Sequence, residues 1–112
     1  MKYIIVFILA FSFSSWAQVF LPGTEDIPLM KGLKNVEETA SFDNPSERMV
    51  LISAETTLSE KAVFEFYHQS LSNLGWQEIR PHYFERGADL LSIEISQGKP
   101  NQVQFKLSQV NP

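Results

Sequence analysis

The chain carries few side chains of the kinds that perform covalent or metal chemistry. It has no Cys and two His, His68 and His82. A Cys nucleophile is therefore excluded, and a Ser nucleophile has only these two imidazoles as its general base. Neither His stands in a recognisable catalytic context, because His68 falls on the polar side of a predicted helix and His82 follows Pro81 in a predicted turn. We interpret both as solvent-exposed histidines.

The same scarcity argues against a metal, a cofactor or a pair of catalytic carboxylates. No two His lie four residues apart, no acidic calcium loop is present, and the five Gly are too scattered to cradle a phosphate. Glu85, Asp89 and Glu94 lie close in sequence, and two carboxylates can serve glycoside hydrolysis. Glu94 shares the parity of Ser92 on the solvent side of a predicted strand, and Asp89 belongs to a turn. We therefore predict no metal, no cofactor and no catalytic residue.

Apolar side chains outside the predicted core are the candidates for binding a partner. Residues 18–35 contain Pro22-Gly23, Pro28 and Gly32, which interrupt helices and long strands, so we predict an extended N-terminal arm. Its apolar side chains either pack across the domain, the favoured alternative, or meet a partner. On the predicted helix, Phe64 lies at the flank of the apolar stripe. The candidate partner-binding residues are Ile27, Leu29, Met30, Leu33 and Phe64.

One helix is predicted over residues 58–74. Thr57-Leu58-Ser59-Glu60 has the pattern of a capping box, in which a hydroxyl and a carboxylate satisfy backbone donors at a helix start. Apolar residues then recur at three- and four-residue spacing, which places a broad stripe on one side. Gly75 follows directly and fits the left-handed position that ends many helices. The stripe comprises Val63, Phe66, Tyr67, Ser70, Leu71 and Leu74.

The remaining segments alternate with period two and predict strands. Two strands precede the helix and four follow it, which gives the order β-β-α-β-β-β-β. This pattern predicts a mostly antiparallel sheet whose apolar face is covered by the single helix. We therefore predict an α+β fold, a two-layer sandwich, as a single domain over residues 36–112. The predicted strands lie at 36–42, 48–54, 76–80 and 82–85 and around Leu91-Ile95 and Val103-Leu107.

Residues 1–17 have the composition of a secretory signal peptide. Lys2 provides a positive start, Tyr3 to Phe13 form an apolar run, and Ser15-Trp16-Ala17 supplies the small residues that a signal peptidase reads. The run is shorter than the roughly 20 residues of a membrane span. We therefore expect cleavage after Ala17 and a periplasmic or secreted protein with no membrane span after cleavage; an uncleaved anchor helix is the alternative.

Charge and cysteine usage narrow the possible partners. The chain has 13 Asp and Glu against nine Lys and Arg, and loss of Lys2 with the leader leaves eight, for a net charge of −5 with His neutral. Nucleic acids and anionic membrane surfaces call for clustered Lys and Arg, so we predict neither as a partner. Without Cys there is no disulfide and no thiol for a lipid anchor, so apolar packing must hold the domain.

Short motifs give the chain a resemblance to a known group of proteins. In their order and spacing, over most of the chain after the leader, it resembles small exported proteins of unknown function from alphaproteobacteria. The resemblance implies export but no activity, ligand or catalytic residue, and Glu47 stands where the group has Gly. At fold level the chain is also similar to envelope modules of lipoproteins that assist outer-membrane assembly, which is an analogy only. The motifs are Pro28-Leu29-Met30 with Gly32-Leu33, Phe42-Asp43-Asn44-Pro45-Ser46 with Arg48, Phe66-Tyr67 with Leu71, Leu74-Gly75-Trp76, and Phe84 with Arg86-Gly87.

These observations predict a non-catalytic exported module that binds an envelope protein or component. Binding would use the arm or a sheet edge, where unpaired main-chain groups accept another strand, and deletion of residues 18–33 would leave a folded domain that no longer binds. Two alternatives stay open. One is a carrier of a small apolar ligand, with a cavity beside Phe66, Trp76 and Phe105. The other is a small hydrolase with acidic, His and Ser residues in a cleft between helix and sheet.

Overall fold

A computed structural model describes residues 19–110 of the chain. Within this range, one helix and a six-stranded antiparallel sheet confirm the predicted α+β fold and its element order. The signal-peptide prediction for residues 1–17 lies outside the described residues. The elements are β1 (Lys34–Asp43), β2 (Glu47–Thr56), α1 (Glu60–Asn73), β3 (Gln77–Arg80), β4 (Tyr83–Arg86), β5 (Asp89–Ser96) and β6 (Asn101–Val110).

The strand order in the sheet is β1-β2-β6-β5-β4-β3. β2 and β6 are neighbours in the interior of the sheet. They pair without interruption from Glu47 opposite Val110 to Thr56 opposite Asn101. Successive side chains point to opposite faces, so one face, the inner face, carries the apolar residues of β2, β4, β5 and β6. The buried inner-face residues are Val50, Ile52, Ala54, Phe84, Leu91, Ile93, Val103, Phe105 and Leu107.

Helix α1 covers part of this inner face. It begins after Ser59, whose hydroxyl accepts a hydrogen bond from the Ala62 N–H at 3.1 Å. The sequence predicts the cap two residues earlier, at Thr57, whereas Thr57 lies between β2 and the helix, where the Leu58 N–H donates to the Thr56 hydroxyl at 3.0 Å. Gly75, with φ of +93°, confirms the predicted end of the helix. The helix buries Val63, Tyr67 and Leu71.

The N-terminal segment, residues 19–33, covers another part of the inner face. It folds back on itself, since the Leu21 N–H donates to the Ile27 carbonyl and the Leu29 N–H to the Val19 carbonyl, both at 2.8 Å. Leu21, Ile27 and Leu33 belong to the hydrophobic core. This differs from the predicted extended arm, and the hydrophobic core includes residues that precede the predicted domain boundary at residue 36. Pro and Gly residues break periodic structure here, but they do not prevent packing.

The hydroxyl of Tyr67 joins the N-terminal segment to the helix. It donates to the Pro28 carbonyl at 2.8 Å and accepts from the Met30 N–H at 3.1 Å. The Tyr67 ring is fully buried and meets Phe105 of β6 edge-on, with ring centroids 5.2 Å apart. Burial raises the pKa of Tyr67 well above its usual range, so the hydroxyl keeps the proton that it donates. One side chain thus contacts segment, helix and sheet.

Arg86 of β4 makes a second connection to the segment. Its guanidinium donates two hydrogen bonds to the Asp26 carboxylate, at 2.9 and 3.2 Å, and one to the Leu74 carbonyl. The same group lies over the Trp76 ring, 4.5 Å from its centroid. The N-terminal segment, the end of the helix and β4 therefore meet at one side chain.

Within residues 19–110, no helix is both long and apolar enough to cross a membrane.

Replacement of Tyr67 by Phe should lower the free energy of unfolding by about 2 kcal/mol, because the ring stays in the core while the Met30 N–H and the Pro28 carbonyl lose their partner. Urea unfolding followed by tryptophan fluorescence measures this loss. Tyr83→Phe is the matched control: Tyr83 is exposed, and we expect a change below about 0.5 kcal/mol. Equal stability of Tyr67→Phe and the wild type would contradict this role of the hydroxyl.

Deletion of residues 19–33 should unfold the domain, in contrast to the separable arm expected from the sequence. The deletion uncovers apolar inner-face area and removes three core side chains, each worth about 1.5–3 kcal/mol of burial, from a domain whose total stability is of the order of 5–15 kcal/mol. Circular dichroism and the dispersion of amide proton resonances measure the outcome. A deletion variant with a cooperative unfolding transition and dispersed resonances would show that the segment is separable.

Candidate functional site

The helix-free face of the sheet, the outer face, carries an apolar patch. The register places Phe42 of β1 directly opposite Met49 of β2, and the small Ser108 of β6 is the only residue between Met49 and Leu90 of β5 in that row. Residues two apart on a strand share a face, which adds Leu51 and Val110 to the same area. The outer-face patch is defined as Phe42, Met49, Leu51, Leu90 and Val110.

Three members of this patch are strongly exposed. The exposed fraction is 53 % for Phe42, 45 % for Leu90 and 58 % for Val110. Isolated exposed apolar residues are normal on protein surfaces, whereas contiguous ones mark interaction sites. The patch spans four neighbouring strands, β1, β2, β6 and β5. It is therefore the feature of the outer face that calls for a functional explanation.

Acidic side chains predominate among the charges of the outer face. The register and the strand alternation assign five Glu to the outer face, against three cations, Lys34, Arg80 and Lys106. Lys106 lies in the row of Leu51, directly opposite it. The excess of negative charge favours partners with a positive surface. The five acidic residues are Glu37, Glu47, Glu55, Glu85 and Glu94.

Both edges of the sheet have features that discourage strand addition. β1 contains two register shifts, between Lys34 and Glu37 and between Glu38 and Ala40. β3 is four residues long and has a shift between Glu78 and Arg80. Bulges, charges and short strands are the means by which edge strands avoid pairing with other chains. The geometry therefore favours the outer face over either edge as an interaction surface.

The five candidate partner-binding residues from the sequence all contact the core. Ile27 and Leu33 are buried members of it, so for these two the structure shows the packing alternative. Leu29, Met30 and Phe64 are partly buried and pack against it. None of the five belongs to the outer-face patch. The sequence offered little to identify that patch, because Phe42 shares a parity with Val36 and Ala40 that suggests one buried side of β1, and the strand is instead exposed along nearly all its length.

A groove between α1 and the β3–β4 hairpin brings the two histidines together. This histidine groove has a volume of about 490 Å³. His68 Nδ1 lies 2.8 Å from Glu78 Oε1, and the His82 backbone N–H donates to Glu78 Oε2 at 2.9 Å. The rings of Phe64 and His82 stack with centroids 3.5 Å apart and an interplanar angle of 13°. A single carboxylate thus connects the helix to the hairpin.

This convergence was not foreseen from the sequence, where each His looked isolated and solvent-exposed. It depends on the turn after β3, in which His82 takes a left-handed conformation with φ of +67°. Non-glycine residues rarely adopt this region, and only the neighbouring Pro81 signals a turn. The His82 N–H is thereby aimed back at Glu78, whose pKa is held below its usual range chiefly by that hydrogen bond, with the His68 contact adding to the effect and partial desolvation opposing it.

The chemistry available in the histidine groove is limited. A carboxylate that orients an imidazole is one half of a nucleophile-activating system. The other half, a Ser, Thr or Cys, does not occur among the residues lining the groove, which are Lys61, Phe64, Glu65, His68, Gln69, Glu78, His82 and Phe84. Within residues 19–110, no cluster of three His, Asp or Glu is placed to hold a metal ion. The groove therefore supplies imidazoles and carboxylates, without the Ser that the hydrolase alternative requires.

The interior between helix and sheet is filled by aromatic rings where the carrier alternative places a cavity. Tyr67 contacts Phe66 at a centroid distance of 4.9 Å and Phe105 at 5.2 Å, both edge-on. Trp76 and Phe105 are buried. Three surface clefts have linings that include none of Phe66, Trp76 and Phe105. The geometry therefore offers less support to a carrier than to a binding surface.

Comparison with known proteins adds no assignment, since no family model, curated protein or solved structure matches the chain. The resemblance to small exported alphaproteobacterial proteins stays a prediction.

Replacement of Glu78 by Gln should reduce stability at neutral pH but not in acid. Because the pKa of Glu78 is lower in the folded chain than the ordinary value of 4.5, its ionised form stabilises the fold fully above that value, and the contribution is lost as the pH falls through the folded pKa. Urea midpoints of wild type and variant at pH 7 and near pH 3 measure this. Glu94→Gln, an exposed carboxylate on the outer face, is the control. If the wild type were more stable than Glu78→Gln by the same amount at both pH values, the stabilising role of the ionised Glu78 carboxylate would be contradicted.

Proposed function

We propose that the protein is a non-catalytic module, exported to the cell envelope, that binds another envelope protein through the outer-face patch. The observation that carries this proposal is the contiguous apolar area formed by Phe42, Met49, Leu51, Leu90 and Val110 on the face without a helix. Contiguous exposed apolar area on a soluble domain is typical of interaction sites. The signal-peptide composition of residues 1–17 supports the exported location.

The charges of the outer face define the chemistry of the partner. Five Glu against three cations favour a protein surface with an apolar centre and a rim of Lys and Arg, because complementary potentials promote association. A second copy of this chain is disfavoured, since a two-fold interface would bring two acidic rims together. The same charge disfavours an anionic lipid surface and nucleic acid.

The N-terminal segment and the sheet edges, which the sequence analysis favoured, are weaker candidates. Ile27 and Leu33 of the segment are buried, so their exposure to a partner would uncover the core. The β1 edge carries two bulges together with Glu37 and Glu38. The outer-face patch is accessible without any rearrangement, which is the usual situation in preformed interfaces.

A photo-activatable cross-linking residue at position 42 or 90 should yield the same protein adduct in the native envelope. The adduct should weaken as salt is raised, because screening reduces the attraction between the acidic rim and a basic partner. Placement of the same residue at positions 20 and 74 provides the control, since Phe20 and Leu74 are exposed apolar residues outside the patch. Gel mobility and mass spectrometry identify each adduct.

Three outcomes of that experiment contradict the proposal. An adduct with twice the mass of the chain would identify a second copy, and an adduct with lipid would identify a membrane surface. Equal adducts from positions 20 and 74 would show that the outer-face patch is not selective. Phe42→Ser and Leu90→Ser, made singly, should remove the adduct formed at the other position and change stability by less than about 0.5 kcal/mol, as expected for exposed sites.

A further inference from the structure

A cleft of about 500 Å³ lies at the other end of the sheet from the outer-face patch. It is formed by the start of β1, the end of β2 and the loop between β5 and β6. Its charged lining residues are Lys34, Glu55 and Lys99. The volume is within the range of about 300–1,000 Å³ that is typical of small-molecule sites.

The walls of this cleft are held in place by hydrogen bonds. Asn101 accepts from the Gly98 N–H at 2.9 Å and donates to the Leu58 carbonyl at 3.1 Å, which joins the β5–β6 loop to the segment before the helix. Thr56 is buried, and its hydroxyl donates to the Gly32 carbonyl at 3.0 Å. The cleft is therefore built from ordered backbone before any ligand binds, which lowers the entropy lost on binding.

Glu55 presents a carboxylate to the cleft that is kept ionised. The Asn35 side-chain amide donates to its Oε1, and the Gln102 amide donates to its Oε2 at 3.1 Å. These two bonds lower the pKa of Glu55. A carboxylate has about four acceptor positions, so each oxygen can accept a further donor. Asn35 holds its amide there from a left-handed conformation, φ of +52°, a strained backbone state of the kind found at functional sites.

Two lysines accompany this carboxylate in the lining. Lys34 pairs with Glu55 in the β1–β2 register, and Lys99 lies in the β5–β6 loop. Neither Lys forms a salt bridge with any residue in the range 19–110. Thr57, also in the lining, adds a hydroxyl that can donate or accept. The cleft thus combines an ionised carboxylate with two lysines that form no salt bridge within the described residues.

This combination selects by charge. A ligand with only positive charge is repelled by the two lysines, and a ligand with only negative charge leaves the Glu55 carboxylate without a cationic partner. A ligand that carries one of each, at separate ends, can satisfy both. An α-ammonium has three donors for carboxylate oxygens, and an α-carboxylate accepts from lysine ammonium groups.

We propose that the cleft binds a short zwitterionic peptide, with Glu55 accepting hydrogen bonds from its α-ammonium and Lys34 and Lys99 donating to its α-carboxylate. A tripeptide spans about 10 Å between its charged ends when extended. A free amino acid carries the same two groups at a much shorter distance. The site is independent of the outer-face patch, so either proposal can fail without the other.

The test is a titration of the ¹⁵N-labelled protein with trialanine, followed by amide chemical shifts. Three further ligands are its N-acetyl form, its C-terminal amide and the doubly capped peptide, with free alanine as the arm for a single amino acid. We expect trialanine to shift the amides of residues 34–35, 55–57 and 98–101. Capping either end should weaken binding by about tenfold, the loss expected for one charge-assisted interaction of about 1.4 kcal/mol.

Variants assign each end of the peptide to its residue. In Glu55→Gln, trialanine and its N-acetyl form should bind equally, because the variant no longer distinguishes an ammonium from an amide. In Lys34→Met with Lys99→Met, trialanine and its C-terminal amide should bind equally. Lys106→Met and Glu94→Gln, on the outer face, are the matched controls and should keep the wild-type order of affinities.

Results with the wild-type protein can overturn the proposal without any variant. It is wrong if trialanine at about 10 mM, well above a weak dissociation constant of the order of 1 mM, shifts no amide around the cleft. It is also wrong if the doubly capped peptide binds as well as the free one, since charge recognition is then absent. Tighter binding of alanine than of trialanine would assign the site to free amino acids and contradict the peptide.

Discussion

The buried hydroxyl of Tyr67 is the interaction on which the inner layer of this fold depends. A helix with its side chains is about 10 Å across, whereas six strands spaced at about 4.8 Å span about 24 Å. One helix therefore cannot cover the inner face. The N-terminal segment supplies additional cover, but a segment without regular secondary structure leaves backbone donors and acceptors that must find partners when buried. Tyr67 satisfies two of them, at Pro28 and Met30.

This arrangement determines which surfaces are free to act. Segment and helix both lie on the inner face, so the apolar side chains of the outer face have no covering element within the described chain. Phe42 and Leu90 are exposed there for that reason, and the proposed partner would provide what a second helical layer provides in other folds. Because the chain has no Cys and therefore no disulfide, its stability depends on the packing of the inner face. Uncovering that face to bind a partner would remove much of a folding free energy that is typically small.

Periodic patterns in the sequence predicted the helix and the strands, whereas such patterns did not predict how the irregular segments pack. The spacing of Val63, Tyr67 and Leu71 located the helix, and alternation along β5 and β6 located two strands with their buried sides. The N-terminal segment has no apolar period, so its local sequence does not indicate that Leu21 and Ile27 are buried. Nor does it indicate that Pro28 accepts a hydrogen bond from Tyr67, 39 residues later. This contact depends on the hydroxyl of Tyr67, whereas the helical pattern identifies Tyr67 only as an apolar residue of the stripe.

The candidate sites show the same limit. Asn35 and His82, both in the left-handed conformation, each line a cleft. A pattern of apolar residues does not predict either conformation. Bulges in β1 have a similar effect, since each inserted residue reverses the faces of all that follow. Fold class was therefore accessible from the sequence, whereas the convergence of His68, Glu78 and His82 was not.

The most direct measurement of the central claim is hydrogen exchange at the Met30 amide, resolved by NMR. If Tyr67 holds the segment as part of the core, this amide exchanges as slowly as those of β2 and β6, because both then need global unfolding to open. The account is contradicted if the Met30 amide exchanges at the rate of an unprotected amide while the amides of β6 remain protected.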